Sequence, residues 1–335
     1  MYIPQTYFAA LLLMLGSMTC WGSWANAFKW TRGWRFELFY WDYAVGVLLA
    51  SLLHAFTLGS LGATGSPFLS DLGAADVTHL AFGFVGGVVF NLANILLVAA
   101  IAIAGLAVAF PIGIGLALVI GTLLNYYVTA RGDALLLFGG VFLVCAAIVL
   151  DALAYRALAE SKAGSTAAVT TRGITISLLS GVGMGLFYPL VARGISGAHA
   201  LGPYSIAVVF SLGVFLSTFI FNTYMMRRPV VGSPVGFADY FRGSSGSHLL
   251  GVAGGMVWVT GAVFNFSASA GALVGPAVSY AIGQGATMVS AMWGVFFWRE
   301  FAGAGPKAVR FLALMFLFFL LGLTLLCLAP IVKIL

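Results

Sequence analysis

The sequence predicts an all-α polytopic membrane protein of ten transmembrane helices built as two inverted five-helix repeats, and three observations carry that prediction. The first is charge: of 335 residues only 7% are Asp, Glu, Lys or Arg, while 62% are hydrophobic. Soluble domains carry about 25% charged side chains, so lipid has to solvate most of this surface. The second is run length. A helix needs about 20 apolar residues to cross a bilayer, and ten such runs follow one another along the chain. The third is an internal echo, in which Gly86-Gly87-Val88-Val89-Phe90 resembles Gly254-Gly255-Met256-Val257-Trp258, 168 positions later.

In chain order the expected spans are 6–28, 37–60, 78–102, 104–128 and 134–156, then 173–195, 203–226, 248–270, 274–297 and 309–332. Spans 3 and 4 of each half fit only if the chain reverses tightly at 100–106 and at 270–275. The first span is expected to be a retained helix and not a cleaved signal, because no basic n-region or small-residue cleavage box accompanies it. The longest loops are 61–77, 157–172 and 227–247, and the last two are rich in Lys/Arg and Gly/Ser/Thr. This gives a first repeat at 1–160, a connector at 161–172 and a second repeat at 173–335. The echo extends from Ala107-Val108-Ala109-Phe110-Pro111-Ile112-Gly113-Ile114-Gly115 to Ala277-Val278-Ser279-Tyr280-Ala281-Ile282-Gly283-Gln284-Gly285. Five spans per half is odd, so the halves take opposite orientations, the pattern of secondary transporters with a site at the repeat interface.

Basic residues orient the bundle. Lys29, Arg32, Arg35, Arg156, Lys162, Arg172, Arg227, Arg228, Arg242, Arg299, Lys307 and Arg310 fall in loops of one parity, and Arg131, Arg193 and Lys333 in the other. By the positive-inside rule the first set is cytoplasmic, which puts both termini on the periplasmic side. The same distribution accounts for the net charge of +6 without nucleic acid. His54, His79, His199 and His248 have no metal spacing, and Cys20, Cys145 and Cys327 lie in apolar runs with no disulfide framework. No phosphate loop or hydrolase motif occurs. Neither an enzyme nor a metal or cofactor is expected, and the chain has no ATPase of its own. An ion gradient is the natural energy source for such a chain.

Polar side chains inside spans are costly and therefore mark candidate function. Asp42, in Glu37-Leu38-Phe39-Tyr40-Trp41-Asp42-Tyr43, lies about 9 Å into span 2 at 1.5 Å per residue. It is the candidate for proton coupling, with an interfacial anchor among Trp30, Trp34, Tyr40 and Trp41 as the plainer reading. Asn91 and Asn94 share a helix face, with Thr260 and Asn265 in the matching stretch of the second half. Such amides bind a hydrogen-bonding solute or hold helices together. Tyr280 and Gln284, four apart, also face one way. Pro111, Gly113 and Gly115, matched by Pro276, Gly283 and Gly285, predict interrupted helices at corresponding places, a pointer to a substrate site. Trp21, Trp24, Tyr188 and Trp258 are either flat walls for a solute or packing. Glu37 is expected to pair with Arg35 or another interfacial cation, and Asp151 with Arg156. Asn125 and Asn222 read as caps or interfacial residues, and Arg193 as an interfacial residue or part of an outer gate.

Several strings resemble the ureide permease family. They are Trp21-Gly22-Ser23-Trp24, Tyr40-Trp41-Asp42-Tyr43, Gly86-Gly87-Val88-Val89, Val119-Ile120-Gly121-Thr122-Leu123-Leu124-Asn125-Tyr126, Phe264-Asn265-Phe266, and Met292-Trp293-Gly294-Val295-Phe296-Phe297-Trp298-Arg299-Glu300-Phe301. That family lies within the drug/metabolite transporter superfamily, near bacterial glucose/ribose and rhamnose porters. The resemblance implies ten helices in inverted repeats and proton-coupled uptake of a small neutral polar solute (a ureide, a nucleobase or a sugar) by alternating access. The chain departs from the plant members in its short 157–172 loop. The alternative is a drug or metabolite exporter of the same superfamily, which predicts a greasy cavity with little amide lining. The expected setting is a bacterial inner (plasma) membrane, multi-pass, with the lipid bilayer, a small-molecule substrate and a proton as partners. Sodium stays open as coupling ion, and the oligomeric state is not legible in the sequence.

Overall fold

The computed structural model describes residues 1–31, 33–105, 108–109, 111–163, 170–271 and 273–333. Arg32, Ala107 and Phe110, used in the charge and repeat arguments, lie outside the described residues, as do 164–169 of the expected connector and the Lys162 side chain. All regular structure among the described residues is helical. In the first half run α1 (Tyr7–Ser23), α2 (Ala25–Trp30), α3 (Phe36–Phe56), α4 (Leu58–Leu61), α5 (Phe68–Ala74) and α6 (Val77–Ala104). A π-helical turn, Pro111–Gly115, leads into α7 (Leu116–Val128), followed by α8 (Ala134–Ala163). The second half holds α9 (Thr171–Gly194), α10 (Pro203–Arg227), α11 (Phe237–Phe241), α12 (Ser245–Ala270), α13 (Pro276–Gly283) and α14 (Ala286–Met292). A second π turn, Trp293–Phe297, follows, and α15 (Pro306–Leu328) closes the chain.

Among the described residues nine helices are long and apolar enough to cross a membrane. The expected span at 274–297 is not one of them. It is broken at Gln284–Gly285 into α13 and α14 and ends in the π turn. Glycines flanking Gln284 explain the break, since glycine is a poor helix interior residue. The matching interruption at Pro111 takes a different form, a π turn continuous with α7. Pro276 interrupts nothing; it opens α13 in its first turn, where its missing N–H costs no hydrogen bond.

The helix starts follow local chemistry. Thr6, Thr170 and Ser244 accept the backbone N–H of Ala9, Gly173 and Ser247 as N-caps. Each window where a reversal is expected holds a glycine with positive φ: Gly105 (75°) ends α6 and Gly275 (87°) precedes α13. Without a Cβ, glycine enters that region at little cost.

Helix α6 packs on α9 and α10, α12 packs on α3 and α1, α3 meets α10, and α8 runs along α15. The Gly-Gly echo sits at two of these seams. A Cβ on Gly87 would lie 2.0 Å from the carbonyl oxygen of Phe210 in α10, and one on Gly255 2.0 Å from that of Tyr43 in α3. Helices without a solvent-driven attraction associate through such close backbone approach. The outward faces are apolar: Phe8, Phe142 and Ile220 are 67%, 71% and 69% exposed, as a lipid-facing surface requires.

One end of the bundle is fastened by its own loops. The Met1 amino group donates to the carbonyl of Gly62, Tyr204 Oη donates to Tyr2 O at 2.9 Å, and Gly202 N to Asp71 Oδ2 at 2.8 Å. Arg131 Nη1 reaches the Gly271 carbonyl at 3.0 Å. The opposite end carries the described residues 29–31, 33–36, 155–163, 170–171 and 298–306.

Candidate functional site

A cavity of about 480 Å³ occupies the bundle interior and runs toward that second end. Its deep wall is aromatic. Trp21 and Trp258 stack with centroids 5.9 Å apart and planes at 18°, and Phe90 stacks on Trp258 at 4.1 Å. Trp21 is pinned by its indole N–H, which donates to Trp258 O at 3.2 Å. Trp24 lines the next turn and rests against Tyr43 at 5.0 Å. Asn94 contributes from α6 and Gln284 from the break in the 276–297 segment. Asn94 Nδ2 donates to Tyr40 Oη at 3.1 Å, which leaves the carbonyl oxygen of that amide to the cavity. The break in the helix falls at Gln284, whose hydrogen-bonding side chain lines the cavity wall.

Five of the sequence-predicted solute residues therefore meet in one place: Trp21, Trp24, Asn94, Trp258 and Gln284. Four others lie outside the lining, each held by packing. Asn91 is fully buried and donates to Val214 O (3.1 Å), Ser217 Oγ (2.8 Å) and Thr218 Oγ1 (3.2 Å), while Tyr40 Oη donates to its Oδ1 at 2.8 Å. It ties α6 to α3 and α10. Asn265 receives the Tyr188 and Ser279 hydroxyls on Oδ1 and donates from Nδ2 to Ser17 Oγ (3.1 Å) and Ser279 O (3.0 Å). Tyr280 Oη reaches the carbonyls of Ala117 and Met184 at 3.2 and 3.0 Å. All of these polar groups are satisfied within the protein, so they bind helices to one another.

Asp42 also lies outside the cavity lining. Its Oδ1 accepts from Tyr240 Oη at 2.7 Å and its Oδ2 faces His248 Nδ1 at 2.8 Å. Trp34 closes over both partners, its ring 4.8 Å from His248 and 6.2 Å from Tyr240. Burial, with the Asp42 hydrogen bond second, pushes the Tyr240 phenol above its ordinary range, so it stays a donor at neutral pH. Thr260 pairs with His54 at 3.0 Å, and Asn222 donates to Glu37 O at 2.8 Å.

Glu37 pairs with Arg35 at 2.7 Å as the sequence predicts. Asp151 does not pair with Arg156, which turns to Glu160 at 3.0 Å; Asp151 lines the cavity instead. Sequence reasoning also passed over Lys29, Tyr155 and Glu300 at the cavity mouth. Lys29 forms an ion pair with Glu300 and sits 4.8 Å over the Trp298 ring, and Tyr155 Oη donates to Glu300 Oε2 at 2.7 Å. The available signal was Asp151 and Tyr155, four apart inside an apolar run and so on one helix face.

Comparison with known proteins fits this arrangement. The ureide permease family model matches residues 39–170. Ureide permease 1 of Arabidopsis thaliana is 24% identical over 97% of this chain and 98% of its own length. Ureide permease 2 of the same plant is 24% identical over 96% of each. Over nearly its whole length this chain is similar to the ureide permeases. A shorter stretch, 30% of this chain, is 38% identical to a probable ureide permease A3 of Vigna unguiculata. As a relative of permeases the chain is a multi-pass membrane transport protein and not an enzyme. A crystal structure at 15% identity superposes with a TM-score of 0.58, covering 93% of this chain and 97% of the other, which speaks to the fold alone.

Proposed function

We propose that this ureide-permease relative is a secondary transporter that takes up a small neutral polar solute of the ureide class by alternating access, driven by a proton gradient. One observation carries the reading: a cavity of about 480 Å³ whose aromatic wall is interrupted by the amides of Asn94 and Gln284. Binding sites for small solutes have this make-up, with apolar walls and a few placed polar groups. A ureide presents a flat face and both N–H donors and carbonyl acceptors. Its face would stack on Trp21 and Trp258, since aromatic walls favour offset stacking. Its N–H groups would donate to the Asn94 carbonyl, and Gln284 offers both a donor and an acceptor. The export alternative calls for a greasy cavity, and these amides weigh against it.

The halves are proposed to be inverted repeats, 1–160 and 173–335. Two pairs of matched features support this: the Gly87 and Gly255 contacts, and the positive-φ glycines Gly105 and Gly275. The packing pairs also recur with the halves exchanged, α6 on α10 answering α12 on α3. With the basic loops cytoplasmic, the fastened end faces outward and the cavity faces inward, one of the two states that alternating access requires. Asp42, paired with His248 and Tyr240, would fasten α3 to α12 at the cavity end. The curated relatives come from plants, so a multi-pass membrane setting is retained without a bacterial inner membrane.

Uptake into proteoliposomes of radiolabelled allantoin, uracil, glucose, ribose and rhamnose, with and without an inward proton gradient, tests the reading. Gradient-stimulated accumulation of the ureide supports it. Accumulation of a sugar alone, or of none with the protein correctly inserted, would reject it.

A further inference from the structure

The cavity holds an acid that solute recognition does not use. Asp151 projects from α8 into the lining; it is 6% exposed, and its Oδ1 has no hydrogen-bond partner. No cation pairs with it among the described residues. A buried charge without a partner is costly, and a proton taken up at Oδ1 removes that charge. Its acidic neighbour in the lining, Glu300, stands in contrast, bound by Lys29 and by the Tyr155 hydroxyl. Tyr155 sits one turn along the same face of α8, so these four side chains form a polar cluster at the cavity mouth.

The other charged groups around α8 are engaged elsewhere or point outward. Arg156 pairs with Glu160 at 3.0 Å; Lys307 of α15 meets Glu160 at 3.7 Å, and Arg310 is exposed. The lining contributed by α6, α9 and the Pro111–Gly115 turn near this end is Leu97, Val98, Ile101, Met184 and Ile114, none of them titratable. Lys29, Tyr155 and Glu300 are thus the ionisable neighbours that share the cavity with Asp151.

We propose that Asp151 is the proton-coupling carboxylate of this transporter. The proposal rests on the transport reading above. One proton binds the carboxylate oxygen as solute loads, giving a neutral carboxyl, so that the loaded cavity closes without an unpaired buried charge. The same proton leaves from that oxygen when the solute does, and no other bond changes. Proton and solute then strengthen each other's binding, and linkage makes the effect reciprocal. Lys29, Glu300 and Tyr155 are positioning residues that fix the mouth of the cavity and keep a second charge balanced.

The test uses proteoliposomes and radiolabelled allantoin, with wild type, Asp151→Asn and Asp42→Asn compared. Asparagine mimics the protonated acid. Asp151→Asn should exchange allantoin within about threefold of wild type, yet accumulate none against a gradient. Wild-type affinity should rise about tenfold per unit fall in pH across the titration, and that of Asp151→Asn should stay flat. Asp42→Asn should still accumulate. Gradient-driven accumulation by Asp151→Asn at the wild-type level overturns the proposal, and so does accumulation that follows sodium without proton movement. Loss of both exchange and accumulation in Asp151→Asn overturns it too, as a structural role. If Asp151→Asn fails to insert, Asp151→Glu decides: accumulation with a displaced pH profile supports the proposal, and an unmoved profile rejects it. A wild type that exchanges no ureide removes the transport reading and this proposal together, whereas an exchanging wild type with an accumulating Asp151→Asn removes only the coupling role.

Discussion

Asn91 and Asn94 lie three residues apart on α6, yet their side chains do different work, because three residues of an α-helix leave a residual rotation of about 60°. Asn94 reaches the cavity, while Asn91 turns into the seam with α3 and α10 and makes three donor contacts there. Asn91→Ala should therefore lower unfolding stability by about 1–3 kcal/mol, the cost of stranding buried partners, and leave ureide affinity unchanged; a thermal melt and a binding isotherm on the same sample check this. Asn94→Leu should do the reverse, weakening binding about tenfold for one lost hydrogen bond. Residue type and helix face were legible in the sequence here, but the direction of each side chain was not. A 60° difference falls inside the width of a helix face and only the neighbouring helices decide it. Asp151 shows the same limit: a nearby Arg156 suggests an ion pair, but Arg156 meets Glu160, one turn further on.

Among the elements, the glycine seams and the broken 276–297 segment decide the geometry of the cavity. Gly87→Val and Gly255→Val each place a side chain within 2.0 Å of a backbone oxygen on the neighbouring helix. Neither helix can yield without losing the seam along its length, so both variants should show a marked loss of folded monomer by fluorescence size-exclusion chromatography, against a surface control such as Leu320→Val. The Gly-Gly pairs stand out in the sequence because close approach leaves no alternative residue, and the positive-φ glycines Gly105 and Gly275 fall inside the expected windows for a related reason. The break near Gln284 was only partly legible. Hydropathy averages over about 20 residues and reads 274–297 as one span, whereas flanking glycines and two short helices produce a gap that presents Gln284 to the cavity.

At the scale of the whole molecule, loop contacts fasten one end while the cavity approaches the other, where the Lys29 and Glu300 side chains are 48% and 27% exposed. A cysteine at Ser290, which lines the cavity, should react with a membrane-impermeant thiol reagent from the basic-loop side and be protected by bound ureide; labelling only from the side of the termini would reverse the proposed orientation. The helical fold was legible because a bilayer admits few solutions, and a chain this apolar has to satisfy its backbone within helices. The cavity was legible only through its aromatic and amide members, since its charged mouth is assembled from three separate segments. Ureide binding in this cavity is what uptake requires first. The most direct measurement is saturable exchange of radiolabelled allantoin by proteoliposomes bearing wild type, Asn94→Leu or Gln284→Leu. Wild type should show saturable exchange, and each variant about tenfold weaker half-saturation, one hydrogen bond's worth. Equal exchange by all three, or none by a correctly inserted wild type, would contradict ureide binding in this cavity.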